Sequence, residues 1–272
     1  MSNHTKKQSF VINSSSKTKK ASKLASIDSD IIKGDGSFIP SYKIVNSPSS
    51  GSLVVYLGKG QTVLDKDGNM NYCDGSIKIN VNLKKGVMGI FKLITGGDAF
   101  ENFYQGTTDE PSPICFASDL PGDVIGIKIN SDDKYVFNAS SLLCSTVNVG
   151  FGSMVRLKNI FGGGSVILKT ASLKEGNAGM VWLKTDGGFE KLIVESGRTM
   201  RLDNNLFCAA KAEYKYELIK LGGFKSALLS GEGMVMKFTG PCELYVHSRN
   251  NAKFLQMIKS MTNKTKLNLN PF

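Results

Sequence analysis

The sequence predicts an all-β fold, and three observations predict it. From about Ile31 onward, short segments rich in Val, Ile, Phe and Tyr alternate with Gly, Asn, Asp and Ser. The clearest of these segments alternates apolar and polar residues with a period of two, the period of a strand with one buried face. Related stretches of text return along the chain, while helical periodicity is scarce between them.

The elements follow in order. Residues 1–30 read as a disordered basic tail. Ser, Thr and Lys dominate residues 1–26, and Phe10-Val11-Ile12 is the one apolar patch, too little to offset chain entropy. A mitochondrial presequence is the competing reading of this acid-free stretch, but it calls for arginines on an amphipathic helix, and none is present. Residues 31–249 read as one β domain. Its strand segments are "SLVVYLG", "SIKINVNL", "DVIGIKIN", "KYVFN", "SVILKT", "GMVWLKT", "EKLIVES", "MVMKF" and "CELYVHS". In "SIKINVNL", Ile77, Ile79, Val81 and Leu83 share one face, expected to be buried, and Lys78, Asn80 and Asn82 share the other. Residues 250–272 read as a short helix and a basic tail. Asn250 or Asn251 caps "NAKFLQMIKSM", and Phe254, Met257, Ile258 and Met261 form a stripe that either packs on the β domain or docks a partner or membrane surface.

Three stretches share one layout: "GQTVLDKDGNMNYC", "DKYVFNASSLLC" and "GRTMRLDNNLFC" each run from a polar turn through a short strand to a second turn and a cysteine. A second set, beginning at Leu93, Asn159 and Leu228, keeps the same beat, and a third element recurs at Gly122 and Gly188. They predict three copies of one β unit, the first the most divergent. The repetition also explains the glycines of "LLSGEGMVMKFTGPCELYVHS". A phosphate-binding loop requires a helix after its glycines, whereas strands follow Gly164 and Gly233, so these are turn glycines.

Net charge is +11, but its placement argues against a basic nucleic-acid face. Residues 1–27 hold Lys6, Lys7, Lys17, Lys19, Lys20 and Lys23, and residues 249–272 hold Arg249, Lys253, Lys259, Lys264 and Lys266, with no acid in either stretch. Residues 28–248 are formally neutral, so any polyanion contact belongs to the tails, above all to Lys17, Lys19, Lys20 and Lys23. Five cysteines without a CxxC pair (Cys73, Cys115, Cys144, Cys208 and Cys242) fit an intracellular, reducing compartment and neither a disulfide scaffold nor a zinc ribbon. The cytoplasm is the expected location, with a mitochondrion or a virion as alternatives. No apolar run is long enough for a membrane span.

Taken together, these residues resemble the mitochondrial-biogenesis family named for altered inheritance of mitochondria. The matching motifs are "GGDAFENFYQG", "ICFASDLPGDVIGIKI", "GMVWLKTDGGFEKLIVESGRTMRLDNNLFCA" and "LLSGEGMVMKFTGPCELYVHSR", in family order over about residues 45–249. The "LPGD" turn at Leu120–Asp123 and the ending Gly231–Cys242 are the most specific, although family members often carry a second glycine where Cys242 stands. The resemblance implies an all-β, TRAP-like architecture, after the trp RNA-binding attenuation protein, with three β-sandwich-like units around a pseudo-threefold axis. It does not imply RNA or tryptophan binding, because fold does not carry function.

Reactive constellations are scarce. HExxH and GxSxG are absent. Of the two histidines, His4 lies in the tail and His247 ends a strand, where a polar surface role is expected. Cys73, Cys144 and Cys208 sit at matching places in the repeated text and would converge near a threefold axis. Each follows an apolar or aromatic residue, which favours a core role over a metal site. "DKDGN" at Asp65–Asn69 lacks the ligand series of a calcium loop and reads as a hairpin turn. Trp182 lies in a segment apolar on both faces, a core or interface strand rather than a base-stacking platform. No catalytic residue, cofactor site or metal site is assigned. The expected function is a non-catalytic assembly or scaffold module that self-associates through β surfaces, and the alternative is a ligand- or nucleic-acid-binding module.

Overall fold

The computed structural model describes residues 30–35, 38–66, 68–83, 100–158, 165–220, 234–250, 255 and 257–262. The chain divides into two units, Met1–Asp30 and Ile31–Phe272, and every strand among the described residues belongs to the second. After β1 (Ser41–Val45) come β2 (Ser52–Leu57), β3 (Thr62–Asp65), β4 (Met70–Cys73), β5 (Ile77–Leu83), β6 (Phe100–Gly106) and β7 (Ser112–Ala117). Next are β8 (Val124–Asn130), β9 (Lys134–Asn138), β10 (Leu142–Thr146), β11 (Val149–Lys158), β12 (Ser165–Leu173) and β13 (Ala178–Lys184). The last are β14 (Phe189–Val194), β15 (Thr199–Asp203), β16 (Phe207–Lys211), β17 (Tyr216–Lys220), β18 (Met234–Thr239) and β19 (Cys242–His247).

These strands form antiparallel sheets in the orders β1-β2-β7-β4, β5-β6-β3-β10-β13-β8, β11-β12-β9-β16-β19-β14 and β15-β18-β17. Raising each strand number of the second sheet by six gives the order of the third. The first sheet, apart from β1, has the order of the second half of such a six-stranded sheet, and the fourth has the order of the first half.

Alternation makes the layers. In β8, Ile125, Ile127 and Ile129 are buried while Lys128 and Asn130 face water. Three apolar clusters fill the spaces between successive sheets. The first joins Leu53, Val55, Ile114 and Phe116 of the first sheet to Tyr104, Leu143 and Trp182 of the second. The next joins Ile125, Ile127 and Leu183 to Phe137, Ala171 and Ala209, and the last joins Phe207, Leu244 and Val246 to Met236 and Phe238. Edge-on aromatic pairs, Tyr42–Trp182 at 5.2 Å and Tyr104–Phe116 at 5.4 Å, orient the first of these clusters.

Several expectations are corrected. On the β5 face Ile77 is buried but Ile79 and Val81 are about half exposed, because the strand lies at the sheet edge, and the Leu83 side chain lies outside the described residues. "DKDGN" is no hairpin turn: β3 pairs β6 and β10, while β4 pairs β7, so the turn carries the chain between sheets. Asp65 is fully buried there and accepts hydrogen bonds from the backbone and side-chain nitrogens of Asn69, both at 2.8 Å. β18 and β19 likewise belong to different sheets, joined at Gly240-Pro241. The three cysteines are not brought to matching places. Cys73 lies opposite Ile114, Cys144 lies opposite Trp182, and Cys208 is passed over at the bulge between Phe207 and Ala209. The bulge takes the second residue of each strand, whereas the cysteine is the fourth residue of β4, the third of β10 and the second of β16, so the matching text is out of phase with the pairing. At the C-terminus, residues 257–262 are helical, and Leu255, Met257, Ile258 and Met261 are exposed rather than packed on the β domain. Phe254 lies outside the described residues. Among the described residues, no helix is long and apolar enough to cross a membrane.

Candidate functional site

Two places concentrate polar side chains. The first is a junction of turns ahead of β2, β8 and β14. Gly51 N–H donates to Gly122 O at 2.7 Å, Asp123 N–H donates to Gly187 O at 3.0 Å, and Thr185 N–H donates to Asp123 O at 2.9 Å. The chains approach so closely that a Cβ on Gly122 would stand 1.7 Å from Thr185 O, which is why "LPGD" carries glycine. Asp123 is buried, and its carboxylate accepts from Ser47 Oγ at 2.9 Å and from Val124 N–H at 2.8 Å.

His247 closes the same junction from the end of β19. It is 3% exposed, not the surface residue expected. Its Nδ1 accepts the backbone N–H of Asp186 at 3.0 Å, which leaves the proton on Nε2, 3.2 Å from Ser141 Oγ. A ring that drew a proton from Ser141 would need the other tautomer. His247 is therefore a brace between β19, the Asp186 turn and the turn that precedes β10. Burial pushes its pKa below 6.5, against the smaller upward pull of Asp186. The neighbouring Cys208 thiol is pushed by burial up to about 12 and so stays protonated.

A depressed histidine pKa means that the unfolded chain takes up its proton first as pH falls. Stability is then held above about pH 6.5 and lost as pH drops through the lower folded value, by up to about 1.4 kcal/mol per pH unit. His247→Asn keeps an acceptor for Asp186 N–H and cannot titrate. Its melting temperature is expected to fall less between pH 7.5 and pH 5 than that of the parent. Equal slopes would remove His247 from the acid response.

The second place is a cleft of about 500 Å³ between the second and third sheets. Leu64, Phe103, Val149 and Phe151 give it an apolar floor, and Lys134, Lys174, Thr170 and Ser172 contribute polar atoms. Lys66 is nearly buried, with a side-chain exposure of 8%. It meets Glu101 at 3.4 Å and stands 4.8 Å from the Phe151 ring centroid. The volume suits a small molecule with an apolar body and an anionic group. This cleft is not legible from the chain alone, because Lys66, Glu101 and Phe151 are far apart in sequence.

Lys17, Lys19, Lys20 and Lys23 lie outside the described residues. Among the described residues, no three His, Cys, Asp or Glu side chains gather as metal ligands do. Cys115, Cys144, Cys208 and Cys242 are buried thiols and Cys73 is half-buried, none of them in a disulfide.

Antiparallel sheets in series, linked by glycine turns, define an all-β protein. The chain belongs to the mitochondrial biogenesis AIM24 family, whose model matches residues 42–249. An uncharacterised protein of Streptococcus pyogenes serotype M6 is 25% identical over 216 residues, which cover 75% of this chain and 83% of the relative. A crystal structure of a Streptococcus pyogenes protein has a TM-score of 0.65 at 24% identity, covering 81% of this chain and 98% of that one, a likeness of fold.

Proposed function

We propose that the chain is a non-catalytic assembly module of the AIM24 family, made of three TRAP-like copies of a six-stranded unit and self-associating through its β surfaces. The observation that carries this reading is the placement of exposed apolar side chains on strands at sheet ends. Tyr72 lies on β4, Ile79 and Val81 on β5, Phe189 and Ile193 on β14, and Leu218 on β17. Exposed apolar residues on open strand edges favour pairing with further chains. The six-strand offset between sheet orders supports the three-copy reading. Four buried thiols suit the intracellular, reducing setting proposed with it.

The inter-sheet cleft favours a second reading, a small-ligand or nucleic-acid-binding module, with Lys134 and Lys174 meeting the anionic group. Light scattering on the full chain, with and without single-stranded nucleic acid, separates the two. The assembly module is expected to exceed one chain of 29.4 kDa on its own. Nucleic acid is expected to add mass only at low salt and regardless of sequence, through tail lysines such as Lys17, Lys19, Lys20 and Lys23. A monomer that takes up one nucleic-acid sequence at physiological salt would reverse the ranking.

A further inference from the structure

We propose that the two terminal half-sheets complete each other between copies of this chain: the open edge of β4 in one copy pairs antiparallel with the open edge of β15 in the next, giving a head-to-tail assembly. The proposal rests on the self-associating reading and names its surface. Within the chain, the two six-stranded sheets each have an inner joint, β3 against β10 and β9 against β16. The strands six positions before β10 and six positions after β9 are β4 and β15. Both lie at the ends of their sheets, and no ladder joins them among the described residues. Joining them gives β17-β18-β15-β4-β7-β2, the strand order of the other two sheets, with β1 added at the end.

The register agrees residue by residue. Met70, Tyr72 and Cys73 lie opposite Phe116, Cys115 and Ile114. In the next unit Leu142, Cys144 and Ser145 lie opposite Leu183, Trp182 and Val181. In the last unit Phe207, Ala209 and Ala210 lie opposite Val246, Tyr245 and Leu244. One bulged residue falls between the first and second position of every set. All six residues of the inner sets are buried, whereas Met70 and Cys73 are half-buried and Tyr72 is 56% exposed. The β4 set lacks the cover that its counterparts receive from a neighbouring strand and sheet.

The backbone points the same way. Asp74 N–H bonds Pro113 O, so by alternation the N–H and C=O of Cys73 face away from β7, toward the open edge. Gly240 N–H bonds Arg198 O, so Arg201 likewise turns its N–H and C=O away from β18. At the inner joint, Ala210 lies opposite Val136. Val136 precedes the capping residue Asn138 by two positions, as Arg201 precedes the capping residue Asp203. The joint therefore sets the second copy's Cys73 opposite Arg201 and its Tyr72 opposite Leu202. The contact is heterologous, using two different edges, and so builds rings or filaments rather than a twofold dimer.

The test is a mixing experiment on the full chain. Arg201→Pro removes the outward donor of β15, a place where an edge strand accepts proline. Tyr72→Asp puts a charge on the β4 side. Each variant alone is expected to run as a single chain of 29.4 kDa. Their mixture is expected to form a two-chain species and nothing larger, since each supplies the edge that the other lacks. Arg201→Glu, which alters only an exposed side chain and sets a carboxylate opposite the half-buried Cys73 at the joint, replaces the proline variant if circular dichroism shows that the latter is unfolded. Variants that assemble as the parent does would overturn the β4–β15 joint while leaving self-association standing. A parent that stays a single chain at every concentration would overturn both.

Discussion

Gly122→Ala is expected to destabilise the β domain by about 3 kcal/mol or more, lowering its melting temperature by roughly 6–12 °C. The added Cβ would stand 1.7 Å from Thr185 O, a backbone atom that cannot rotate aside. Making room means moving the "LPGD" turn from its neighbours. That move puts at risk the bonds Gly51 N–H to Gly122 O, Asp123 N–H to Gly187 O and Thr185 N–H to Asp123 O. Groups buried at this junction have no ready water to replace a lost partner, so each broken bond adds a desolvation cost of about 1–3 kcal/mol. Gly188 provides the control in the same junction. A Cβ there meets only Ser248 Oγ, at 3.7 Å, so Gly188→Ala is expected within about 1 kcal/mol of the parent. Thermal melts of the two variants side by side check the argument. Equal melting temperatures would show that the turn yields without cost.

Trp182→Ala carries a comparable effect through a different cause. Trp182 is fully buried in β13, within the cluster that joins the first and second sheets, and meets the Tyr42 ring edge-on at 5.2 Å. Removing the indole leaves a cavity that rigid strands on both sides cannot close, at a cost of about 3–5 kcal/mol. Because β1, β2 and β7 reach the rest of the domain through this cluster, the first sheet is expected to loosen first. Trp182→Phe separates packing from polarity. The indole Nε1 is buried without a hydrogen-bond partner among the described residues, so phenylalanine discards an unpaired donor and keeps most of the volume. It is expected to cost less than half as much as alanine. Denaturant unfolding of both variants measures the difference. An alanine variant within 1 kcal/mol of the parent would contradict the packing described (about 3–5 kcal/mol expected).

Much of the architecture was legible in the sequence because strands of this kind carry their period locally. "DVIGIKIN" and "GMVWLKT", read as strands, fall on β8 and β13. The limits are equally specific. Alternation in "SIKINVNL" identifies a face but not a cover, and Ile79 and Val81 stay exposed for want of a neighbouring strand. Partner choice is also invisible locally: "DKDGN" looks like a hairpin turn, yet β3 and β4 go to different sheets. His247 looked like a surface residue because its partners, Ser141 and Asp186, are remote in sequence. The cysteines match in the text, yet Cys73, Cys144 and Cys208 are the fourth, third and second residues of strands that share one bulge position, an offset that only the pairing reveals. The Lys66 cleft was missed because its walls come from two sheets.

Amide hydrogen exchange at the two open edges tests the central claim, that the terminal half-sheets are complementary, most directly. Peptides spanning β4 and β15 are followed in the full chain over a range of protein concentrations. The account predicts that protection at Cys73 and Arg201 rises together with concentration, and that Tyr72→Asp abolishes the rise at both. Fast exchange at both residues at every concentration, or protection that ignores both concentration and the substitution, would contradict it.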